Sequence, residues 1–216
     1  AFEFFTDRAL KHVLAHGAQK PFEDVHPYYV VTEFASGDEA QEAAAMGAFE
    51  ACMENGWVSD GVISQSDAQA AQLWRLREGI TESLAPYKPY KNDVSVRISA
   101  MPAFLQETQA LLGEAYPHFE VVWFGHIGDG NLHINVLKPG DVSDADFVSQ
   151  CEQVTKLLAA SLKKHGGSIS AEHGIGLVKK GYLESTRSAE EIALMRAMKR
   201  VFDPAGLLNP GKLFDT

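Results

Sequence analysis

The chain has 216 residues, 45% of them hydrophobic, enough to bury a substantial core in one large domain or two small ones. Its formal net charge of -10, with no run of basic residues to offset it, repels phosphate backbones and anionic lipid surfaces, so neither nucleic acid nor a membrane surface is an expected partner. Two cysteines, Cys52 and Cys151, stand outside any CxxC spacing; no disulfide framework is expected, and a reducing compartment, the cytoplasm or an organelle matrix, fits best.

No apolar run reaches the length that spans a bilayer, and AFEFFTDRAL lacks the basic start and long apolar stretch of a secretory signal. A soluble chain without membrane insertion is expected. The same stretch reads as an amphipathic helix entered at Ala1, as in a piece excised from a longer polypeptide.

In chain order, YYVVTEFAS (28–36) predicts a strand ending at Gly37, and the alanine-rich 38–55, acidic in its first turn, a helix stopping at Asn55-Gly56. VSDGVIS (58–64) reads as a strand, Ser66 to about Ser83 as a helix, and DVSVRIS (93–99) as a strand. Pro102 suits the first turn of a helix running from Met101 to about Tyr116. EVVWFGH and NLHINVLK form a pair of strands around a glycine-rich turn, and 144–165 is a long helix whose basic KKH end complements the helix dipole. GSISAEHGIG is a short strand breaking into a loop; a last helix over 188–202 precedes the Pro- and Gly-rich tail DPAGLLNPGKLF. This β-α-β order with one hairpin predicts an α+β fold of ferredoxin-like type, an antiparallel sheet with helices mainly on one face, rather than a parallel doubly wound sheet.

The hairpin carries the chemistry. In GHIGDGNLH (125–133) two histidines bracket a Gly-Asp-Gly turn. Alternation puts Asn131, His133 and Asn135 on one face of the second strand, and Val122, Phe124 and His126 on one face of the first. Closing the hairpin could therefore bring His126 and His133 to the same side, with Gly125, Gly128 and Gly130 supplying the backbone freedom. Two imidazoles so placed suit a metal, although they could equally cap a Gly-rich turn. In SAEHGIG (170–176), Glu172 would complete a His₂Glu set that leaves coordination positions open for substrate. Adjacent strand residues point apart, so Glu172 and His173 can share a site only if the backbone turns there. His173 is then a general base or a loop-packing residue. Arg77 and Thr81, four apart in LREGITESL, and Lys91 in YKPYKNDVSV could clamp an anion. Solvated charges are the alternative: a surface pair with Glu78 or Glu82 for Arg77, and an ordinary surface lysine for Lys88.

Together, GHIGDGNLH, SAEHGIG, REGIT, YKNDVSV and FDPAGLLNPGK resemble the carboxyl-terminal domain of FAD-linked 2-hydroxy acid dehydrogenases and oxidases. This group is related to D-2-hydroxyglutarate dehydrogenase, D-lactate dehydrogenase and the glycolate oxidase flavin subunit. The resemblance covers essentially all of residues 1–216 and implies a substrate/cap domain of a longer chain whose amino-terminal FAD-binding domain is not in this sequence. It implies His126, His133 and Glu172 as ligands of a divalent metal, zinc for preference, and His173 as the base. It further implies Arg77, Thr81, Lys91 and Asn135 as substrate-binding residues, with Asn209 and His173 on the flavin side. The substrate would be a small D-2-hydroxy acid, closer to D-2-hydroxyglutarate than to D-lactate or glycolate, since REGIT resembles the hydroxyglutarate branch. The FAD-binding domain of the same polypeptide and an unidentified electron acceptor are the implied partners, and homodimer formation is left open. Arg97 departs from the family pattern by standing where proline is common, which puts the strand's exit geometry in question. A flavin-independent zinc hydrolase and a noncatalytic metal-stabilised module are the competing readings.

Overall fold

The computed structural model describes residues 1–35 and 37–215, which form two compact units, 1–86 and 87–216. In the first unit the order is β1 (Phe2–Thr6), α1 (Asp7–Ala15), β2 (Tyr28–Thr32), α2 (Glu39–Glu54), α3 (Asp67–Glu78) and α4 (Ile80–Leu84). In the second it is β3 (Tyr90–Ser95), α5 (Met101–Ala115), β4 (Val121–Gly125), β5 (Asn131–Val136), α6 (Asp144–Lys164) and α7 (Ala189–Phe202).

The N-terminus corrects the helix expected there. Residues 2–6 form a strand antiparallel to β2, with Phe4 opposite Val30 and Phe5 opposite Tyr29, and the helix begins only at Asp7. Three phenylalanines and a threonine within FEFFT favour a pleated surface, and Phe5 stacks on Tyr29 with centroids 5.5 Å apart. β2 ends at Thr32, short of the expected limit, whose last residue, Ser36, lies outside the described residues. The strand expected at 58–64 is absent: Asp60 accepts its neighbour Gly61's N–H through Oδ1, a local turn bond, and Val62 and Ile63 are exposed. The helix expected through Ser83 is interrupted at Gly79.

The second unit has the expected ferredoxin-like arrangement. Its strands run β-α-β-β-α with β5 in the centre, antiparallel to both β4 and β3. The position beside β3 that a fourth strand would occupy holds a single bridge, Ser95 to Ser168. The sheet's two faces differ in chemistry. On one, Val94, Leu132, Ile134, Val136, Val121 and Trp123 are buried, and α6 returns over this side with Phe147, Cys151, Val154, Leu158 and Leu162 at helical spacing. Thr155 of α6 donates to the Tyr90 hydroxyl at 3.2 Å, tying the helix to β3. Each fully buried apolar side chain of this layer contributes about 1.5–3 kcal/mol. The opposite face carries Lys91, Asp93, Ser95, Asn131, His133 and Asn135.

Cys151 is buried in α6 with its thiol pushed up to about 11 by desolvation, and neither it nor Cys52 is in a disulfide. Between α5 and α6, Glu107 accepts from Lys164 Nζ at 2.6 Å and Ser161 Oγ at 3.0 Å and meets His165 Nε2 at 3.0 Å. These partners, Lys164 foremost, hold its carboxyl down at about 2. An unfolded glutamate titrates near about 4.3, so this contribution to stability is complete above that pH and is lost as pH falls through the folded value. Thermal melts should show the gap between wild type and Glu107→Gln at its fullest near about pH 5 and closing as the pH approaches about 2; a gap that widens on acidification would contradict this arrangement.

Candidate metal centre

The hairpin turn answers why two histidines bracket it. β4 ends at Gly125, a short 3₁₀ turn covers Ile127–Asp129, and β5 starts at Asn131. Asp129 and Asn131 both donate backbone N–H to the His126 carbonyl, at 3.0 and 3.2 Å. Two glycines are sterically required: a Cβ on Gly125 would lie 2.3 Å from the Asn131 carbonyl oxygen, and one on Gly130, at φ 73°, would lie 2.1 Å from that of Val96. The register then sets Phe124 opposite His133 and carries His126 past the strand end onto the same side, where the two imidazoles meet edge to face, centroids 5.5 Å apart.

Glu172 reaches this pair from the 168–176 loop. His126 Nε2 stands 3.2 Å and His133 Nε2 3.8 Å from Glu172 Oε1, and the three candidate ligand atoms lie within 4.8 Å of one another. Two ligands each 2.0–2.1 Å from a tetrahedral ion stand about 3.4 Å apart, so the donor set fits a single divalent ion with little movement. Among the described residues no fourth His, Cys, Asp or Glu joins the group; three protein ligands are the usual number at catalytic zinc sites and four at structural ones. Asn131 Nδ2 donates to Glu172 Oε1 and orients that carboxylate. Ser95, His126, Asp129, Asn131, Ala171 and Glu172 line an open cleft of about 360 Å³ at the cluster.

Asp93 gathers the backbone of the loop that carries Glu172 and His173. This residue was not among those singled out from the sequence. Its Oδ2 accepts the consecutive backbone N–H groups of Ala171, Glu172 and His173 at 3.2, 3.2 and 3.4 Å, a convergence that an extended strand cannot make. The same carboxylate faces His133, with Oδ1 3.5 Å from Nδ1. Alternation in the strand opposite the histidine was the available signal, because Asp93 is the cross-strand partner of His133.

The other expected site residues fall in three places. Lys91 and Asn135 are cross-strand partners on the polar face, Lys91 exposed and Asn135 buried. They stand two residues from Asp93 and His133, about 7 Å along the strands. In the first unit, Arg77 is buried and forms an ion pair with Glu3, Nε to Oε2 3.0 Å, while Thr81 lies beyond the Gly79 interruption and is exposed. Gly79 itself keeps helical dihedrals, φ -68° and ψ -10°, and accepts from the Ser83 N–H at 3.0 Å; the surface pairing weighed for Arg77 is replaced by a buried one. Asn209 sits at φ 49° in the exposed tail, which Asp203 anchors by accepting from the Leu207 and Leu208 N–H groups at 2.8 and 2.9 Å. Lys88 is an exposed surface lysine, as expected, and lies 3.0 Å from the exposed Asp144. Arg97 has φ -58°, close to the value of about -65° that proline imposes, so β3 leaves the sheet along a proline-compatible path.

A family model described as FAD linked oxidases, C-terminal domain, matches residues 1–213. The chain belongs to this family. It is 82% identical over 216 residues to the D-2-hydroxyglutarate dehydrogenase of Xanthomonas citri pv. viticola, covering all of this chain and 46% of that protein. It is 52% identical over 215 residues to that of Stutzerimonas stutzeri, covering 99% of the chain and 46% of the relative. The mitochondrial D-2-hydroxyglutarate dehydrogenase of Bos taurus is 36% identical over 219 residues, with 100% and 39% covered. The chain thus spans less than half the length of these curated relatives. As an FAD linked oxidase C-terminal domain it is set apart from the flavin-independent hydrolase and the noncatalytic module weighed above. No described helix is long and apolar enough to cross a membrane.

Proposed function

We propose that the chain is the substrate- and metal-binding domain of an FAD-dependent dehydrogenase that oxidises a D-2-hydroxy acid to the 2-oxo acid, a D-2-hydroxyglutarate-like dicarboxylate being preferred. One observation carries this reading: the ligand atoms of His126, His133 and Glu172 converge, His126 and Glu172 line an open cleft, and His173 is next along the chain. A divalent ion held by those three residues would supply Lewis acidity toward the substrate's 2-hydroxyl and carboxylate oxygens. FAD, held on the amino-terminal part of the longer polypeptide, would supply the two-electron acceptor for the carbon 2 hydrogen, with Asn209 on its side of the domain.

His173 takes the hydroxyl proton, a role suited to an imidazole because its ordinary pKa lies near neutrality. Lys91 and Asn135, about 7 Å along the sheet from the ligand pair, are placed for the distal carboxylate of a dicarboxylate. A monocarboxylate would leave that lysine without a partner. Arg77 and Thr81, the other residues expected to bind substrate, belong to the first unit, where Arg77 pairs with Glu3.

Elemental analysis of the intact polypeptide tests the metal reading. About one divalent ion per chain, mainly zinc, is expected, falling severalfold in His133→Ala and Glu172→Ala; retention of full metal content by both variants would place the ion elsewhere.

A further inference from the structure

We propose that Asp93 is the positioning residue of this centre, a single buried carboxylate that sets both the ligand face of His133 and the loop carrying Glu172 and His173. Asp93 is 5% exposed, and its two oxygens divide the work. Oδ2 gathers the three N–H groups of residues 171–173, which holds the loop against β3. Oδ1 lies 3.5 Å from His133 Nδ1. Lys179 Nζ donates to the Asp93 backbone carbonyl at 2.9 Å, fixing the chain after the loop to the same residue.

The consequence is a choice of tautomer. A carboxylate accepts only, so its favoured neighbour is an Nδ1–H imidazole. Asp93 Oδ1 is the nearer of the two carboxylate oxygens facing the ring, 3.5 Å from Nδ1 against 3.8 Å between Nε2 and Glu172 Oε1, and the latter oxygen already accepts from Asn131 Nδ2, so the proton sits on Nδ1 and the Nε2 lone pair is left for the ion. Asparagine at position 93 separates the two tasks. Its side-chain oxygen is still demanded by three backbone N–H groups, so its NH₂ must face His133. Nδ1 then has to accept, and the proton moves to Nε2, the atom that the metal needs. Asp93→Asn is expected to keep the loop and misdirect the ligand, and Asp93→Ala to lose both.

The proposal rests on the metal reading for one of its measurements and is independent of it for the other. The first experiment is long-range ¹H–¹⁵N correlation on the chelator-treated intact polypeptide labelled with ¹⁵N-histidine, His133 being assigned by its disappearance in His133→Gln. Nδ1–H is expected in wild type and Nε2–H in Asp93→Asn. In the second, chelator competition should show zinc affinity falling about 10- to 100-fold in Asp93→Asn. Hydrogen exchange over 168–176 should stay at the wild-type rate in Asp93→Asn and speed up in Asp93→Ala. A residue that served stability alone would move the melting temperature and leave the tautomer alone. Wild-type His133 with its proton on Nε2 overturns the proposal whether or not the variants fold, as does an Asp93→Asn variant with unchanged tautomer and zinc affinity. A tautomer switch in a protein whose wild type takes up no zinc supports Asp93 as positioning residue and removes the metal reading instead.

Discussion

In the intact polypeptide, His173→Ala lowers kcat for the hydroxy acid by about 10²- to 10⁴-fold, the range associated with loss of a positioned general base, while metal content stays at the wild-type level. The separation of the two readouts follows from the loop's geometry. His173 joins the site through its backbone N–H, held by Asp93 at 3.4 Å, and its imidazole is not among the three side chains whose ligand atoms converge. Removing the ring leaves His126, His133 and Glu172 where they are, along with the Asp93 bonds that place Glu172. Metal analysis beside steady-state kinetics with an artificial electron acceptor decides the matter. Parallel loss of metal and activity would make His173 a ligand, and unchanged kcat would remove it as the base.

The legible parts of this chain are those in which local pattern and tertiary context agree. GHIGDGNLH reads as a hairpin because glycine spacing and apolar/polar alternation both specify it, and closing that hairpin is what could bring His126 and His133 to one side. The ferredoxin-like order of the second unit could be read for the same reason. FEFFT reads as helix because five residues followed at once by a helix are too few for the period to separate strand from helix; pairing with β2 decides. VSDGVIS has strand-like residues and no neighbour to pair with among those described, so its Asp-Gly turn prevails. Asp93 escaped notice because a lone aspartate in a strand has no motif. Its importance arises from residues 40 to 80 positions away: His133 opposite it and three amides of the 171–173 loop. Arg77 was read from its neighbours on the helix, Glu78 and Glu82, whereas the partner it has is Glu3, on a strand that sequence reading had made a helix.

That pairing makes Arg77→Ala the most destabilising of the substitutions considered, by about 3–5 kcal/mol, because it strands a carboxylate that the fold has removed from water. Both side chains of the pair are only 8% exposed, so little solvent reaches Glu3 to replace the guanidinium. Arg77→Lys should recover part of the loss, since an ammonium restores the charge without the planar donor fork. The paired change Arg77→Met with Glu3→Leu should recover more, as it leaves no charge behind. Chemical denaturation of these three variants, with Arg77→Met and Glu3→Leu alone, closes the cycle. A loss below about 1 kcal/mol for Arg77→Ala would mean that the pair behaves as a solvated one. The outcome also bears on substrate choice. If Arg77 is engaged by Glu3 as tightly as its burial implies, a substrate carboxylate can use it only by sharing the guanidinium, and preference for a dicarboxylate over a monocarboxylate must depend mainly on Lys91. Lys91→Ala would then raise KM for D-2-hydroxyglutarate more than for D-lactate at unchanged stability. Arg77→Ala would lower the amount of folded enzyme for both substrates alike, which comparison of kcat/KM ratios with the fraction folded resolves.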